Sequence, residues 1–549
     1  MEDDDDRLEG ADESRPRRYP KEDTSATTSK ELRGWYFYGI AAEAYAVCGP
    51  GSFLPVTLEA LARQNGVLFS DRKTPCVQPP SNRALTSRDE GPANDQCVIN
   101  VFGAEITTAS LAMYTFSAAV LIQALALVSF SSVADYGSNR KRFLVFFAVM
   151  GATAGMLFLF ITPSIYLIAP PLGVVTIMSL GCSFVMLNAF LPLLASNHPT
   201  VRAQEKELLL ELPPSRPVLS PAEPYTAPPA LRDSPSPALA FSNAVSARGV
   251  GLGYAAAVFV QILCIIILVI NSKYKISTSP TIPLRLAIFL SSTWWLIFTI
   301  PSYLWLRNRP GPPLPAHLTP TSSASLTPTR ASLIRANLRK VLTYTLFAWS
   351  SLYRTLLLAL RLTQLRIFLL AWFLMSDAIA TVGSTAIMFA RTELQLSPTG
   401  VALLSISATC SGILGTLIWP RITRRYSLRS PRTIVCCLCV MECVPLYGLL
   451  GYIPFVQRLG WLGLQQAWEI YPLSIVYGIA MGGLSSYCRS FFGQLIPRGK
   501  EAAFYALFAI TDKGSSAIGP AVVGRIVDHT GTIRPAFWFL LVLIGVPIG

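Results

Sequence analysis

The chain has 549 residues, of which 52% are hydrophobic and 14% are charged, and its mean hydropathy is +0.46. This composition is too apolar and too poor in charge for an ordinary soluble enzyme, and it predicts a polytopic membrane protein. The formal net charge is +14, but the Lys and Arg residues form short runs between apolar segments, which is the pattern of membrane topology and implies no nucleic-acid partner.

Residues 1–33 are charged and predict a disordered tail, without the basic and apolar regions of a cleavable signal peptide. The first apolar segment, residues 34–62, is long enough to cross a bilayer. It carries Glu43 near its middle and then Gly49-Pro50-Gly51. A carboxylate at that depth is costly and Gly-Pro-Gly disturbs helical hydrogen bonding, so both are tolerated mainly where a helix faces protein or water. The segment therefore predicts part of a transport path.

A polar loop at residues 63–104 follows, and it contains Cys76 and Cys97, the only two of the eleven cysteines that share a polar loop. Because both lie outside the apolar spans on the predicted non-cytosolic side, they are predicted to form a disulfide. The later apolar segments predict membrane spans at 105–133, 143–162, 171–195, 249–271, 283–306, 367–390, 399–419, 433–454, 471–495, 503–527 and 534–549. The last segment is short for a span.

An insertion interrupts the first half of the chain at residues 196–241. It holds ten prolines and predicts a flexible loop. Within it, Glu205, Leu209 and Leu210 match the acidic dileucine pattern that cytosolic sorting adaptors read. Such short patterns also arise by chance, so a sorting adaptor is one hypothesis for a partner and a plain linker is the other.

The linker between the two halves is predicted at residues 307–366. From residue 331 onward its apolar residues are interrupted by Arg and Lys, which favours an amphipathic helix lying on the membrane over a helix that crosses it. The six-span halves are then residues 34–306 and 367–549. The loops predicted to be cytosolic hold 24 Lys and Arg residues, against 10 on the opposite side, which places the N-terminus in the cytosol.

The two halves repeat one pattern of acids. Glu43 and Asp377 lie in the first span of their halves, and a second acid follows each of them after sixteen residues, at Glu59 and Glu393. Parallel repeats of six spans are the architecture of major facilitator transporters. The sequence therefore predicts an all-α membrane protein with about 12 transmembrane helices in two six-helix halves.

The eleventh span contains a second group of candidate site residues, namely Asp512, Lys513, Gly514 and Ser515. Charged residues inside a span are costly and often functional, so this group is a candidate for substrate binding or coupling. The alternative is that Asp512 and Lys513 form an internal ion pair that holds the span to a neighbour.

The turn after the second span reads SSVADYGSNRKR, residues 131–142. It resembles the major facilitator loop signature, an acid followed by Gly and a basic cluster, and it departs from that signature at Ser131 and Tyr136. An acid at a helix end beside a basic turn can lock neighbouring helices in one conformer, so a gating role is predicted, and a solvated basic turn is the alternative. The predicted gating residues are Asp135, Gly137, Arg140, Lys141 and Arg142.

Three blocks carry a closer resemblance: residues 34–66, 368–394 and 505–534. They resemble the autophagy-related vacuolar amino-acid effluxers of fungi, which belong to the major facilitator superfamily. The resemblance implies a multi-pass protein of the vacuole membrane that exports leucine and other neutral amino acids to the cytosol. The chain has no GxxxxGK[ST] phosphate-binding motif, so a gradient is the expected energy source and no cofactor is expected.

The leading hypothesis is therefore a proton-linked amino-acid exporter. Glu43 and Asp377 are predicted to face each other across a central cavity and to supply an anion for the substrate ammonium, and backbone amides at 49–51 or 514–516 are predicted to bind its carboxylate. The alternatives are a major facilitator carrier for a sugar or drug and an intramembrane enzyme or scramblase. The enzyme hypothesis lacks a nucleophile and base pair, because neither Cys488 nor Ser515 has a histidine nearby in sequence.

Overall fold

The computed structural model describes residues 19, 22–68, 72–77, 97–101, 103–210, 236–274, 279, 281–313, 330–394, 396, 398–497, 499–515, 518–530 and 532–548. The predicted acidic tail, except for its last residues, lies outside this part of the chain. Within it, almost every segment is helical. Eight helical segments of the described chain are long and apolar enough to cross a membrane.

The first predicted span is a continuous helical segment with a π-helical turn near its centre. It consists of α1 (Ser29–Cys48), a π-helical turn (Gly49–Phe53) and α2 (Leu54–Arg63). Thr28 caps α1 because its side chain accepts a hydrogen bond from the backbone N–H of Glu31. The Gly-Pro-Gly sequence therefore widens the helix by one residue per turn without breaking it.

The rest of the first half contains α3 (Thr108–Ala134), α4 (Asn139–Leu157), α5 (Ala169–Ser196), α6 (Pro199–Leu210), α7 (Pro237–Tyr274) and α8 (Ile282–Trp305). Between α2 and α3 lies a small antiparallel sheet, ordered β1 (Val67–Leu68), β2 (Cys97–Val101) and β3 (Ala104–Thr107). Cys76 and Cys97 are joined as a disulfide at this sheet. These strands were not predicted from the polar composition of residues 63–104.

The second half follows α9 (Arg330–Arg361). It contains α10 (Thr363–Thr392), α11 (Pro398–Arg425), α12 (Ser430–Leu450), α13 (Pro454–Leu459), α14 (Ile470–Leu495), α15 (Glu501–Ser515), α16 (Ile518–Thr530) and α17 (Ala536–Gly545). The helices α15 and α16 lie in the predicted eleventh span, and residues 516–517 between them lie outside the described chain. The final helix, α17, is only ten residues long, so the predicted count of twelve spans stays a prediction.

The predicted flexible loop at 196–241 is wrong at both of its ends. Residues from Pro199 to Leu210 form α6, because Gln, Glu, Lys and Leu are good helix formers and Pro199 suits a first helical position. At the other end, α7 begins at Pro237, well before the predicted start at 249, since its added turns pack against α14. Residues 211–235 lie outside the described chain. In the dileucine pattern, Leu210 is exposed and its segment is helical.

The two halves meet mainly at one end of the bundle. We call the end at which α1 begins and α3 ends the basic side, and the opposite end, which carries the small sheet, the sheet side. Toward the basic side, α7 of the first half packs against α11 and α14 of the second half, and Ser246 donates a hydrogen bond to the carbonyl of Ser486. The same end joins α15 to α3 and α5.

Candidate substrate-binding site and gate

Glu43 lies on α1, deep among the helices, and its side chain keeps part of its surface accessible. Space for it comes from Gly253 on α7, where an added Cβ would lie 2.6 Å from the Glu43 Cγ. Within the described chain, no hydrogen bond or ion pair to Glu43 is present, and Arg489 is the cation that acts on its charge. A carboxylate in this position attracts a cation without being neutralised by one.

Arg489 lies on α14 in the second half and is held mainly by groups of the first half. Its guanidinium donates hydrogen bonds to the Ser246 hydroxyl at 3.0 and 3.1 Å and to the Ser246 carbonyl at 3.3 Å. It also donates to Asn188 Oδ1 at 3.4 Å and lies 5.3 Å from the Trp35 ring centre. These contacts fix a positive charge close enough to Glu43 to attract it, while the two side chains form no direct ion pair within 4.0 Å.

One face of α14 is accessible along much of its length. Tyr477, Met481, Ser485 and Arg489 are spaced four residues apart and are all partly accessible, whereas most of their neighbours on the helix are buried. Tyr254 of α7 reaches this face, with its hydroxyl 3.4 Å from the Ser485 hydroxyl. The stripe is therefore the accessible face of α14, and it extends from Arg489 toward the sheet side.

Asp377 has a different environment from the predicted one. It is 3% exposed, and its Oδ1 accepts a hydrogen bond from the backbone N–H of Gly519 at 2.9 Å. That N–H belongs to the first turn of α16, so Asp377 satisfies and stabilises a helix start inside the bundle. This geometry does not support the prediction that Asp377 faces Glu43 across an accessible cavity, because its carboxylate is buried against α16.

Asp512 and Lys513 form an ion pair at 3.2 Å. The Ser376 hydroxyl, from α10, donates to both the carboxylate and the backbone carbonyl of Asp512, so this group joins α15 to α10. Ser515 is buried and donates to the Asp512 carbonyl at 3.0 Å, while Gly514 is exposed. The contacts favour the internal ion pair, which was the alternative in the sequence analysis.

The backbone of Gly49, Pro50 and Gly51 is largely used within the helix. The N–H of Gly49 bonds to the Tyr45 carbonyl, and the Gly49 carbonyl accepts from the N–H of Leu54. The lack of a side chain at Gly49 is required, because an added Cβ would lie 2.8 Å from the Tyr45 ring. These bonds leave the predicted binding of a substrate carboxylate by this turn without structural support.

The predicted gating turn connects the two halves. Arg140 lies 2.9 Å from Asp135 and 3.0 Å from Glu501, which begins α15, and all three side chains are buried. The Asp135 carboxylate also accepts hydrogen bonds from the backbone N–H groups of Ala502 and Ala503, at 2.8 and 2.9 Å. An acid of the first half therefore caps a helix of the second half.

Burial raises the pKa of Asp135 to about 6. The charge of Glu501 acts in the same direction, while Arg140 and the two N–H donors oppose it. The sequence pattern did not identify Glu501, because its partners are distant in sequence.

The remaining residues of the gating turn have separate surroundings. Gly137 has a φ of +57°, which favours glycine, and it exchanges backbone hydrogen bonds with Gly311 and Pro312 at 2.8 and 3.0 Å. Lys141 lies 5.2 Å from the Tyr303 ring centre, and Arg142 is exposed. Of the basic cluster, only Arg140 points into the contact between the halves.

A second buried ion pair lies on the basic side, and it was not predicted from the sequence. Arg309 donates to both carboxylate oxygens of Glu31 at 2.8 Å, and it donates to Thr27 and to the Ser25 carbonyl. This pair ties the segment after α8 to the start of α1. The signal in the sequence was weak, since Glu31 falls in the predicted tail and Arg309 in the predicted linker.

Comparison with known proteins identifies the family. Residues 27–549 match the family described as vacuole effluxer Atg22 like. The chain belongs to this family. Autophagy-related protein 22 of Botryotinia fuckeliana is 54% identical over 563 residues, with 98% of this chain and 91% of that protein covered. Autophagy-related protein 22-1 of Sclerotinia sclerotiorum is 53% identical over 556 residues, with 97% and 90% covered.

Solved structures share the fold of this Atg22-like chain. A bacterial homologue of the iron transporter ferroportin matches with a TM-score of 0.54 at 13% identity, covering 95% of this chain and 97% of that one. The major facilitator superfamily proton:xylose symporter matches with a TM-score of 0.55 at 11% identity, covering 94% of each chain. The predicted family and the all-α major facilitator fold are confirmed. Family and fold indicate a vacuolar membrane transporter rather than an enzyme.

Proposed function

We propose that this Atg22-like transporter exports neutral amino acids, with leucine as a principal substrate, from the vacuole to the cytosol by gradient-coupled alternating access. The observation that carries the proposal is the pair of opposite charges at Glu43 and Arg489. They come from different halves of the chain, attract each other and remain more than 4.0 Å apart.

A free amino acid is a zwitterion whose two charged groups match this pair. Its ammonium would bind Glu43, which makes no hydrogen bond or ion pair within the described chain, and its carboxylate would bind Arg489, whose planar guanidinium suits carboxylates. A sugar or a neutral drug would leave the Glu43 carboxylate without a bound positive charge in the membrane interior, which is costly. The charge pair therefore favours an amino acid over a sugar or a neutral drug as the substrate.

The surroundings support an apolar side chain on the substrate. Along α14, Met481 and Tyr477 follow the charged pair toward the sheet side. Tyr477 also borders a largely apolar cavity together with Val382, Leu404 and Phe389. A leucine side chain directed this way would meet mostly apolar surface.

Alternating access requires one side to close while the other opens. We infer that the basic side is the cytosolic side and that the Asp135, Arg140 and Glu501 contact is its gate. Because that contact joins the two halves, it must break before a substrate can leave toward the cytosol. Loading would then occur from the sheet side, which we assign to the lumen.

Proton coupling is the proposed source of energy. A proton that moves with the amino acid from the acidic lumen to the cytosol would make export a symport; because Glu43 holds the substrate ammonium as a carboxylate, this proton is carried by another group. Amino acids, protons and the lipid bilayer are then the partners of the protein. A sorting adaptor that reads Glu205, Leu209 and Leu210 remains a separate hypothesis.

The experiment is leucine efflux from sealed vacuolar vesicles that contain equal amounts of each variant, with and without a proton gradient. We expect Glu43→Gln and Arg489→Gln each to abolish gradient-driven efflux. The matched control is Glu59→Gln, which removes an acid from the same span and should retain efflux. Wild-type efflux with unchanged pH dependence in Glu43→Gln vesicles would refute the proposed role of Glu43 in export.

A further inference from the structure

The helix α9 has two distinct faces. Ala348, Thr355 and Ala359 are buried against the protein, with 1% exposure or less. The opposite face, which we call the outer face of α9, is formed by exposed residues at helical spacing: Leu346, Trp349, Tyr353, Leu356, Leu357 and Leu360. An apolar face of this size on the protein surface marks a contact with membrane or another partner.

The charge around the outer face identifies the partner. From Arg330 to Ser376 the chain contains seven basic residues and no Asp or Glu. Two of these basic residues, Arg354 and Arg361, are exposed on α9 itself. A helix with Trp, Tyr and Leu on one face and basic residues beside them binds at the interface of a membrane that carries negative charge. A neutral membrane would leave the basic residues without complementary charge.

The same helix contacts the gate. Phe347 of α9 lies with its ring centre 5.7 Å from that of Tyr136, the residue that follows Asp135. Arg354 acts electrostatically on Tyr136, and α9 also packs against α3 and α15. In the major facilitator signature a basic residue is usual at the position of Tyr136, so this aromatic contact is a feature of this chain. It connects the outer face of α9 to the carboxylate that caps α15.

We propose that the outer face of α9 binds anionic phospholipids of the cytosolic leaflet, and that this binding stabilises the closed gate. The physical reason is linkage. A ligand that binds one conformation more tightly shifts the equilibrium toward it, and α9 holds Tyr136 in the conformation in which Asp135 is bonded to α15. The anionic lipid is thus a regulator of the gate and not a transported substrate.

The test uses purified full-length protein in nanodiscs of phosphatidylcholine alone or of phosphatidylcholine with phosphatidylserine. Hydrogen–deuterium exchange is measured at the peptide that contains Ala502 and Ala503, whose N–H groups are bonded only while the gate is closed. We expect phosphatidylserine to slow this exchange several-fold in the wild type. This measurement involves no transport. If phosphatidylserine did not slow the exchange, the lipid proposal would fail while the proposed amino-acid export would be unaffected.

Two variants and two controls separate binding from coupling. The double variant Arg361→Gln with Arg366→Gln, which leaves Arg354 beside Tyr136 in place, should lose the lipid effect by weakening binding, and Phe347→Ala should lose it by removing the contact with Tyr136. Arg421→Gln with Arg425→Gln, in a different basic turn, and Tyr136→Phe, which keeps the ring, should retain it. Equal exchange in both membranes for the wild type, or a lipid effect that survives in both the double variant and Phe347→Ala, would overturn the proposal.

Discussion

Asp135, at the end of α3, accepts a hydrogen bond at 2.8 Å from the backbone N–H of Ala502, in the first turn of α15. The two residues belong to different halves of the transporter, so this bond exists only while the halves are together on the basic side. Arg140, between Asp135 and Glu501, neutralises part of the negative charge that the contact buries. The stability of the closed gate should therefore depend on the two acceptor oxygens at position 135.

Replacement of Asp135 by Asn should weaken the gate. The variant replaces one of the two acceptor oxygens with an NH2 group, so one of the buried N–H groups of Ala502 and Ala503 loses its acceptor, at a cost of about 1–3 kcal/mol. We expect faster hydrogen–deuterium exchange at Ala502 and Ala503. The conservative variant Asp135→Glu, which keeps two acceptor oxygens, should exchange more slowly than Asp135→Asn. Unchanged exchange in Asp135→Asn would show that the carboxylate does not hold the gate.

The closed gate should also depend on pH in one defined range. Because burial raises the pKa of Asp135 to about 6, above its ordinary value of 3.8, the closed form binds more protons than the open form between these values. Closure is then most favourable below the lower value, weakens as pH rises through about 6, and stays constant above it. Exchange rates corrected for intrinsic pH effects should show this trend in the wild type. The same trend in Asp135→Asn would assign it to another group.

Variants of Asp377 distinguish a residue that caps a helix from a residue that binds the substrate. Its carboxylate caps α16 through Gly519, and loss of a cap costs roughly 0.5–2 kcal/mol. Asp377→Ala should therefore lower the melting temperature, while Asp377→Asn, which keeps an acceptor oxygen, should lower it less. Neither should change the apparent affinity for leucine in the protein that remains folded. A large loss of affinity in Asp377→Asn at normal stability would restore the role predicted from the sequence.

Gly253 should be required because it makes room for Glu43. A Cβ there would lie 2.6 and 2.9 Å from the Cγ and Cβ atoms of Glu43, so Gly253→Ala must displace the carboxylate. Overpacking of this kind costs about 1–3 kcal/mol, and we expect reduced leucine efflux at equal protein levels. Gly524→Ala is the matched control, since nothing lies within 4 Å of an added Cβ. Equal efflux from the two variants would contradict the assigned geometry.

Glu43 and Arg489 illustrate how far the sequence could predict this site. A charge within an apolar span is costly, and that rule identified Glu43; applied to the span at 471–495, it also points to Arg489. The proximity of Glu43 and Arg489 could not be predicted from the sequence, because it depends on how the two halves pack. The repeat that matched Asp377 to Glu43 gave no sign of the hydrogen bond from Gly519, because equal positions in two halves can have different neighbouring helices.

Some boundaries of the helices and strands could be predicted from the sequence, and others could not. Apolar segments and the Asp135 turn follow from local composition, so most of the long apolar helices and the position of this turn were predicted close to where the structure has them. The small sheet at residues 67–107 and the early start of α7 were not, since each depends on tertiary partners that composition does not reveal. The dileucine pattern lies on α6, a helix that the proline-rich composition of the whole insertion concealed.

The central claim is that Glu43 and Arg489 bind the two charged groups of an amino acid. It is tested most directly by equilibrium binding of three ligands to purified protein: leucine, leucinamide, which lacks the carboxylate, and 4-methylpentanoate, which lacks the ammonium. The wild type should bind leucine at least tenfold more tightly than either analogue, a factor that corresponds to about 1.4 kcal/mol. Arg489→Gln should abolish the preference over leucinamide, and Glu43→Gln should abolish the preference over 4-methylpentanoate. If the wild type bound all three ligands equally, or if both variants kept both preferences, the assignment of these residues to the substrate would be contradicted.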